Sequence, residues 1–269
     1  MRAVESDFFA LPIPRAIAHR GGAGVYPENT LAAFTASAAL GMAYAELDIH
    51  ATRDGVVVVA HDPDLRRTCG RDALIRALDY ADLAGADAGF NFTVDGGFPF
   101  RAQGLTVPTL DAVFDACPQQ RFIIEIKQTA PSVVPTMLEV IDRRAMGRQV
   151  LIASEHQAPL DEVRTVRPGL PTSFSALETA AFFATLNGGE AGDYRPPADA
   201  LQIPPHYGTM ELATPQSVAA AHRLGIELHV WTINQERQMG ELLAMGVDGI
   251  LSDFPARLLR VTAAGPQRG

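Results

Sequence analysis

Short apolar runs alternate along the chain with longer stretches in which apolar residues recur at helical spacing. The short runs predict strands over 16–19, 45–50, 121–127, 149–154, 171–175, 200–204, 227–233 and 249–252. The longer stretches predict helices over 28–40, 109–116, 132–145, 160–166, 177–186, 215–224, 236–245 and 255–263. Repeated strand-then-helix units of this number give the TIM (β/α)8 barrel, and a length of 269 residues suits a single such domain over 1–269. Pro27-Glu28 reads as the opening of the first helix, with Gly41 placed where a helix C-cap belongs. Thr214-Pro215 reads as an N-cap followed by a first-turn proline, and Gly225 as the end of that helix. The rival fold, a doubly wound open sheet, carries a GxGxxG turn before its first helix. Gly21-Gly22-Ala23-Gly24 lacks that spacing.

The polar positions inside the strands carry more information than the apolar ones. In Ala45-Glu46-Leu47-Asp48-Ile49-His50, alternation puts Leu47 and Ile49 on the face that packs under the helices. Glu46 and Asp48 then point into the barrel. In Ile124-Glu125-Ile126-Lys127, Glu125 and Lys127 do the same. Converging carboxylates repel each other and lose solvation, so something must compensate. Two compensations fit: a hard divalent cation such as Mg²⁺ or Ca²⁺, or buried ion pairs with Lys127 and Arg20. His19 ends the first predicted strand and His61 ends the apolar run 56–60, on the face where barrels keep their chemistry. Histidine is suited to proton transfer near neutral pH. His50 and His229 can also reach the interior and are read as structural. His222 falls in a helix pattern, and His156 and His206 in loops.

One connection breaks the strand–helix rhythm. Residues 62–107 form an insertion after the second barrel strand and include the Gly- and Phe-rich segment 85–104. Loops of this length are commonly functional, and this one leaves from the active face, so it is expected to cap the site. Phe90, Phe92, Phe98 and Phe100 are separated by glycines and charges, an arrangement better suited to a small polar headgroup than to an acyl chain.

The net charge of −9 argues against nucleic acid or an anionic lipid surface as partner. An anionic substrate would have to be drawn in locally, by a metal or a few placed cations. Cys69 and Cys117 are the only cysteines and form no CxxC or zinc spacing. No basic-then-apolar leader opens the chain, and no run approaches the ~20 apolar residues of a membrane span. The expectation is a cytoplasmic protein with a small-molecule substrate and no stable membrane anchor.

Several ordered blocks carry a family resemblance. They are His19-Arg20-Gly21-Gly22 with Pro27-Glu28-Asn29-Thr30; Glu46-x-Asp48 with Thr52-x-Asp54-Gly55 and His61-Asp62; Pro108-Thr109-Leu110 ahead of Glu125-Ile126-Lys127; Trp231-Thr232-Ile233-Asn234; and Gly246-Val247-Asp248-Gly249 with Asp253-Phe254-Pro255. Together they resemble the glycerophosphodiester phosphodiesterase family over nearly the whole chain. The resemblance implies a TIM barrel with a small insertion after the second strand. It implies one divalent metal held by Glu46, Asp48 and Glu125, and His19 and His61 as the acid–base pair. It also implies Arg20 and Lys127 near the phosphate, with Trp231 a candidate for contact with glycerol or the leaving group. The implied reaction splits a glycerophosphodiester into glycerol 3-phosphate and an alcohol. Ser154-Glu155-His156 departs from the Ser-Phe-Asp frequent in the family. Lysophospholipase D or phospholipase C-like activity is the alternative chemistry, and a non-catalytic glycerophosphodiester-binding module the alternative class.

Overall fold

The computed structural model describes residues 6–188 and 194–264. In chain order the strands are β1 (Arg15–Ala18), β2 (Tyr44–Ala51), β3 (Val57–Val59), β4 (Arg121–Ile126), β5 (Val150–Ala153), β6 (Ala200–Ile203), β7 (His206–Tyr207), β8 (Met210–Glu211), β9 (Glu227–Val230) and β10 (Gly249–Ser252). A parallel ladder runs β5-β4-β2-β1-β10-β9-β6. Thr172 bridges Ile152 and Ser173 bridges Ala200, both in parallel sense, which closes the ring as a TIM barrel. The strand predicted over 171–175 is thus present as little more than this pair of bridging residues.

The helices are α1 (Leu31–Ala39), α2 (Arg66–Cys69), α3 (Tyr80–Leu83), α4 (Leu110–Ala116), α5 (Val134–Arg143), α6 (Gln157–Val166), α7 (Ala176–Gly188), α8 (Pro215–Arg223), α9 (Glu236–Met245) and α10 (Pro255–Ala264). None of the described helices is long and apolar enough to cross a membrane.

Strand alternation separates two cores. Leu47, Ile49, Ile124 and Ile126 face outward into the layer beneath the helices. Ile17, Tyr44, Ile123, Leu151 and Leu251 face inward, with Phe8 packed among them. Arg15 is also interior: it forms a two-bond pair with Glu227, at 2.6 and 2.7 Å, and donates to the Tyr44 hydroxyl.

One expectation needs correction. The first helix starts at Leu31 rather than Glu28, because Thr30 is the N-cap and its hydroxyl accepts from the Ala33 amide. Glu28 is instead drawn to Arg20 and Arg67. The run before His61 is not a barrel strand: β3 pairs antiparallel with β2, Ile49 opposite Val59. β2 pairs with β4 only as far as Ile49 opposite Ile126. Its end therefore projects past the barrel, and β3 folds back along it to set His61 at the mouth.

The 62–107 excursion holds α2 and α3 around a small core of its own, including Leu65, Ile75, Leu83 and Val107. Its phenylalanines pack locally. The Phe100 ring meets Tyr26 at 5.5 Å and Phe92 at 5.4 Å, and the Arg101 guanidinium lies over Phe90 and Phe98.

Candidate active site

A cavity of about 520 Å³ opens at the C-terminal end of the barrel, lined by His19, Arg20, Glu46, His61, Glu125, Lys127 and Trp231, among others. Glu46 and Asp48, two apart on β2, and Glu125 on β4 each offer a carboxylate oxygen, all within 4.8 Å of one another. Glu46 and Asp48 are buried. Residues of β2 and β4 come into this register because Asp48 lies opposite Glu125 in the ladder.

Ion pairs compensate part of this negative charge. Lys127 Nζ lies 2.7 Å from Glu125 and 3.4 Å from Asp48, and Arg20 Nε lies 3.4 Å from Asp48. Asn29 donates to Asp48 at 2.9 Å, and the Arg20 amide donates to Glu46 Oε2 at 2.9 Å. Glu46 Oε1 is buried with no hydrogen-bond partner. Burial works to raise the Asp48 pKa, but Lys127 and Arg20 outweigh it and hold the group below the ordinary carboxylate range. Glu46 is pushed the other way, first by burial and then by the charge of Asp48. An unpartnered buried oxygen among hard oxygen donors is the environment a divalent cation relieves. The residues present therefore fit a metal.

Each histidine is backed by a carboxylate. His19 Nδ1 lies 2.6 Å from Asp253 Oδ1, and His61 Nδ1 lies 2.7 Å from Asp62 Oδ1. An ionised carboxylate only accepts, so Nδ1–H is the donor in both and Nε2 is left for the cavity. His19 Nε2 stands 4.0 Å from Glu46. Asp253 is fixed in turn by Asn234, which donates to Oδ2 at 2.7 Å and accepts from the Asp253 amide. Asp62 accepts from Arg67, which forks onto Glu28, and Glu28 also takes Arg20. Burial works to lower the His19 pKa, but Asp253 and Glu46 together raise it above its ordinary value.

The turn after β1 depends on glycine. Arg20, Gly21 and Gly22 all have positive φ, at 49°, 79° and 117°. A Cβ on Gly21 would lie 2.9 Å from the Ala33 Cβ. Only glycine lets this turn sit against α1 and still aim His19 inward.

The predicted site residues Glu46, Asp48, Glu125, His19, His61, Arg20, Lys127 and Trp231 all lie at the barrel mouth. Trp231 is 42% exposed at the rim rather than packed in the core. Sequence reasoning assigned no role in the site to Asp253, Asn234, Asp62, Arg67 or Glu28. His50, read as structural, is bonded to the His61 carbonyl at 3.1 Å. His229 is fully buried between Glu227 and Gln202.

Residues 19–257 match the model of the glycerophosphoryl diester phosphodiesterase family. The chain is 34% identical to a probable glycerophosphodiester phosphodiesterase of Mycobacterium tuberculosis, over 91% of this chain and 89% of that one. It is 24% identical to a lysophospholipase D of Mus musculus, covering 91% and 85%. A phosphodiesterase of Oleispira antarctica, solved with the product sn-glycerol-3-phosphate, superposes with a TM-score of 0.78 at 25% identity, covering 93% of this chain and 97% of that one.

Proposed function

The chain belongs to the glycerophosphoryl diester phosphodiesterase family, and from that premise we propose that it hydrolyses glycerophosphodiesters to glycerol 3-phosphate and an alcohol, using one divalent ion, Mg²⁺ or Ca²⁺. The observation that carries this reading is the unpartnered, buried Glu46 Oε1 inside a carboxylate cluster, in the same cavity as two carboxylate-backed histidines. Glu46, Asp48 and Glu125 would hold the ion, which supplies positive charge to the phosphate oxygens as negative charge builds on them. Arg20 and Lys127 add fixed positive charge on either side. One histidine takes the proton of the attacking oxygen through Nε2, and the other returns a proton to the departing alkoxide. Asp253 and Asp62 keep each ring in the tautomer that this requires. A neighbouring glycerol hydroxyl as first nucleophile, followed by water, would let the two histidines exchange roles. The 62–107 excursion, which supplies Asp62 and Pro63 to the cavity lining, forms one wall of the mouth.

The test is release of glycerol 3-phosphate from glycerophosphocholine by protein stripped with chelator and then reloaded with Mg²⁺ or Ca²⁺. Reversible loss and recovery is expected. Full turnover in excess chelator would remove the metal from the reading. Absence of turnover on every glycerophosphodiester with either ion would remove the reaction.

A further inference from the structure

The two histidines are backed in the same way, but from different parts of the molecule. Asp253 gives one oxygen to His19 at 2.6 Å and the other to Asn234 at 2.7 Å. Asp62 likewise gives one oxygen to His61 at 2.7 Å and the other to Arg67 Nε at 2.6 Å. Asn234 belongs to the barrel: it lies just after β9, and Ser252 of β10 donates to its side chain. Arg67 comes from α2, inside the 62–107 excursion.

The second arrangement stands in more water. The side chains of His61 and Asp62 are 31% and 24% exposed, against 16% and 22% at His19 and Asp253. A single exposed pair of this kind is worth little unless a fixed network holds its geometry. Arg67 supplies that network. Its Nη1 and Nη2 fork onto the two oxygens of Glu28 at 2.6 and 2.7 Å, which fixes the guanidinium plane. Glu28 also accepts from Arg20 at 3.0 Å, so the anchor is part of the barrel mouth. Behind the arginine, Asn91 Nδ2 donates to the Arg67 carbonyl at 2.9 Å, and the Asn91 amide donates to the Thr68 carbonyl at 3.2 Å. Leu65 and Cys69 on either side are buried in the excursion's own core. The Gly- and Phe-rich segment thus holds α2, and α2 holds the arginine.

We propose that Arg67 is a positioning residue for the proton transfer, acting on His61 through Asp62, and that the excursion serves the reaction by delivering it. The inference rests on the diesterase reading above for what His61 does. The last torsion of an aspartate is soft, so one hydrogen bond to His61 does not fix the carboxylate. With Oδ2 pinned by Arg67, Oδ1 stays on Nδ1, Nδ1 keeps its proton, and Nε2 keeps the form that the cavity needs. Without the guanidinium the carboxylate turns, and the ring samples both tautomers. Arg20 and Lys127, the groups placed to meet the phosphate, are not its targets.

The experiment uses two variants of the full chain. Arg67→Met keeps the aliphatic stem and removes the fork, and Arg67→Lys keeps the charge but cannot span both carboxylates. In each, kcat for glycerophosphocholine should fall by about 10- to 100-fold, the range for losing the partner that orients a working histidine. KM should stay within about twofold. Made in the His61→Ala background, the same substitutions should cost no more than about twofold further, because the group they act through is gone. Isotope-edited nitrogen spectra of the labelled histidines give a second readout that needs no turnover. His61 should show a single Nδ1-protonated tautomer in the unmodified protein and a mixture in both variants, with His19 unchanged. Undiminished kcat, an equal loss with His61 already removed, or a lower melting temperature with unmoved His61 signals would make Arg67 a clamp of the fold alone and overturn the inference. If no diester is turned over, the diesterase reading has failed instead, and the His61 signals alone decide whether Arg67 sets the ring.

Discussion

At His19 one ring nitrogen is committed to Asp253, and at His61 to Asp62, so each imidazole reaches the cavity through Nε2. If both move protons, His19→Ala and His61→Ala should each lower kcat by about 100-fold or more. Metal affinity, read by calorimetry on the same variants, should stay close to that of the unmodified protein. Near-normal turnover in one variant would remove that histidine from the mechanism. The acidic cluster was legible in the sequence, because strand alternation leaves a charged residue only two directions and one of them is occupied by the helical layer; the histidines stood out by following apolar runs, just past β1 and β3. Asp253 was not legible as the partner of His19, since 234 positions separate them. Local pattern says nothing about which distant carboxylate a ring will meet.

Among the elements, sequence pattern located long units well and their edges less well. Positions 236–245 and 249–252 coincide with α9 and β10. The first helix begins three residues later than its predicted start because a threonine hydroxyl took the capping role that the Pro-Glu pair suggested. The antiparallel turn of β3 was hidden, since an apolar run looks the same in a barrel strand and in a hairpin arm. Thr214 was legible: it caps α8 in a reciprocal arrangement with Ser217. Thr214→Ala removes the side-chain acceptor for the Ser217 amide and should destabilise the protein by about 1 kcal/mol in urea unfolding. No change in the midpoint would show that water or a shifted first turn replaces the cap.

Across the whole molecule, the Arg15–Glu227 pair ties β1 to β9 inside the closed ring. Burial opposes ionisation of Glu227, but hydrogen bonds from Arg15 and His229 outweigh it and bring its pKa down to about 2 from an ordinary 4.5. A depressed carboxylate pKa stabilises the fold above the unfolded value and loses that contribution as pH falls through the folded one. Glu227→Gln leaves Arg15 buried without its counter-charge and should cost about 3 kcal/mol at neutral pH. The deficit relative to the unmodified protein should shrink as pH drops from 4.5 toward about 2. A deficit independent of pH would mean that the pair is valued for packing alone.

The ring also sets a condition in time. β1 pairs with β10, Arg15 opposite Gly249, and this contact between distant parts of the chain carries the largest loop-closure entropy in the sheet. His19 follows one of these strands and Asp253 the other. A chain still being synthesised, however well its early strands have paired, holds His19 with no carboxylate behind it until β10 docks. The proposed acid–base pair is therefore completed by the act of closure, and a partly folded chain has no way to act on phosphodiesters through it.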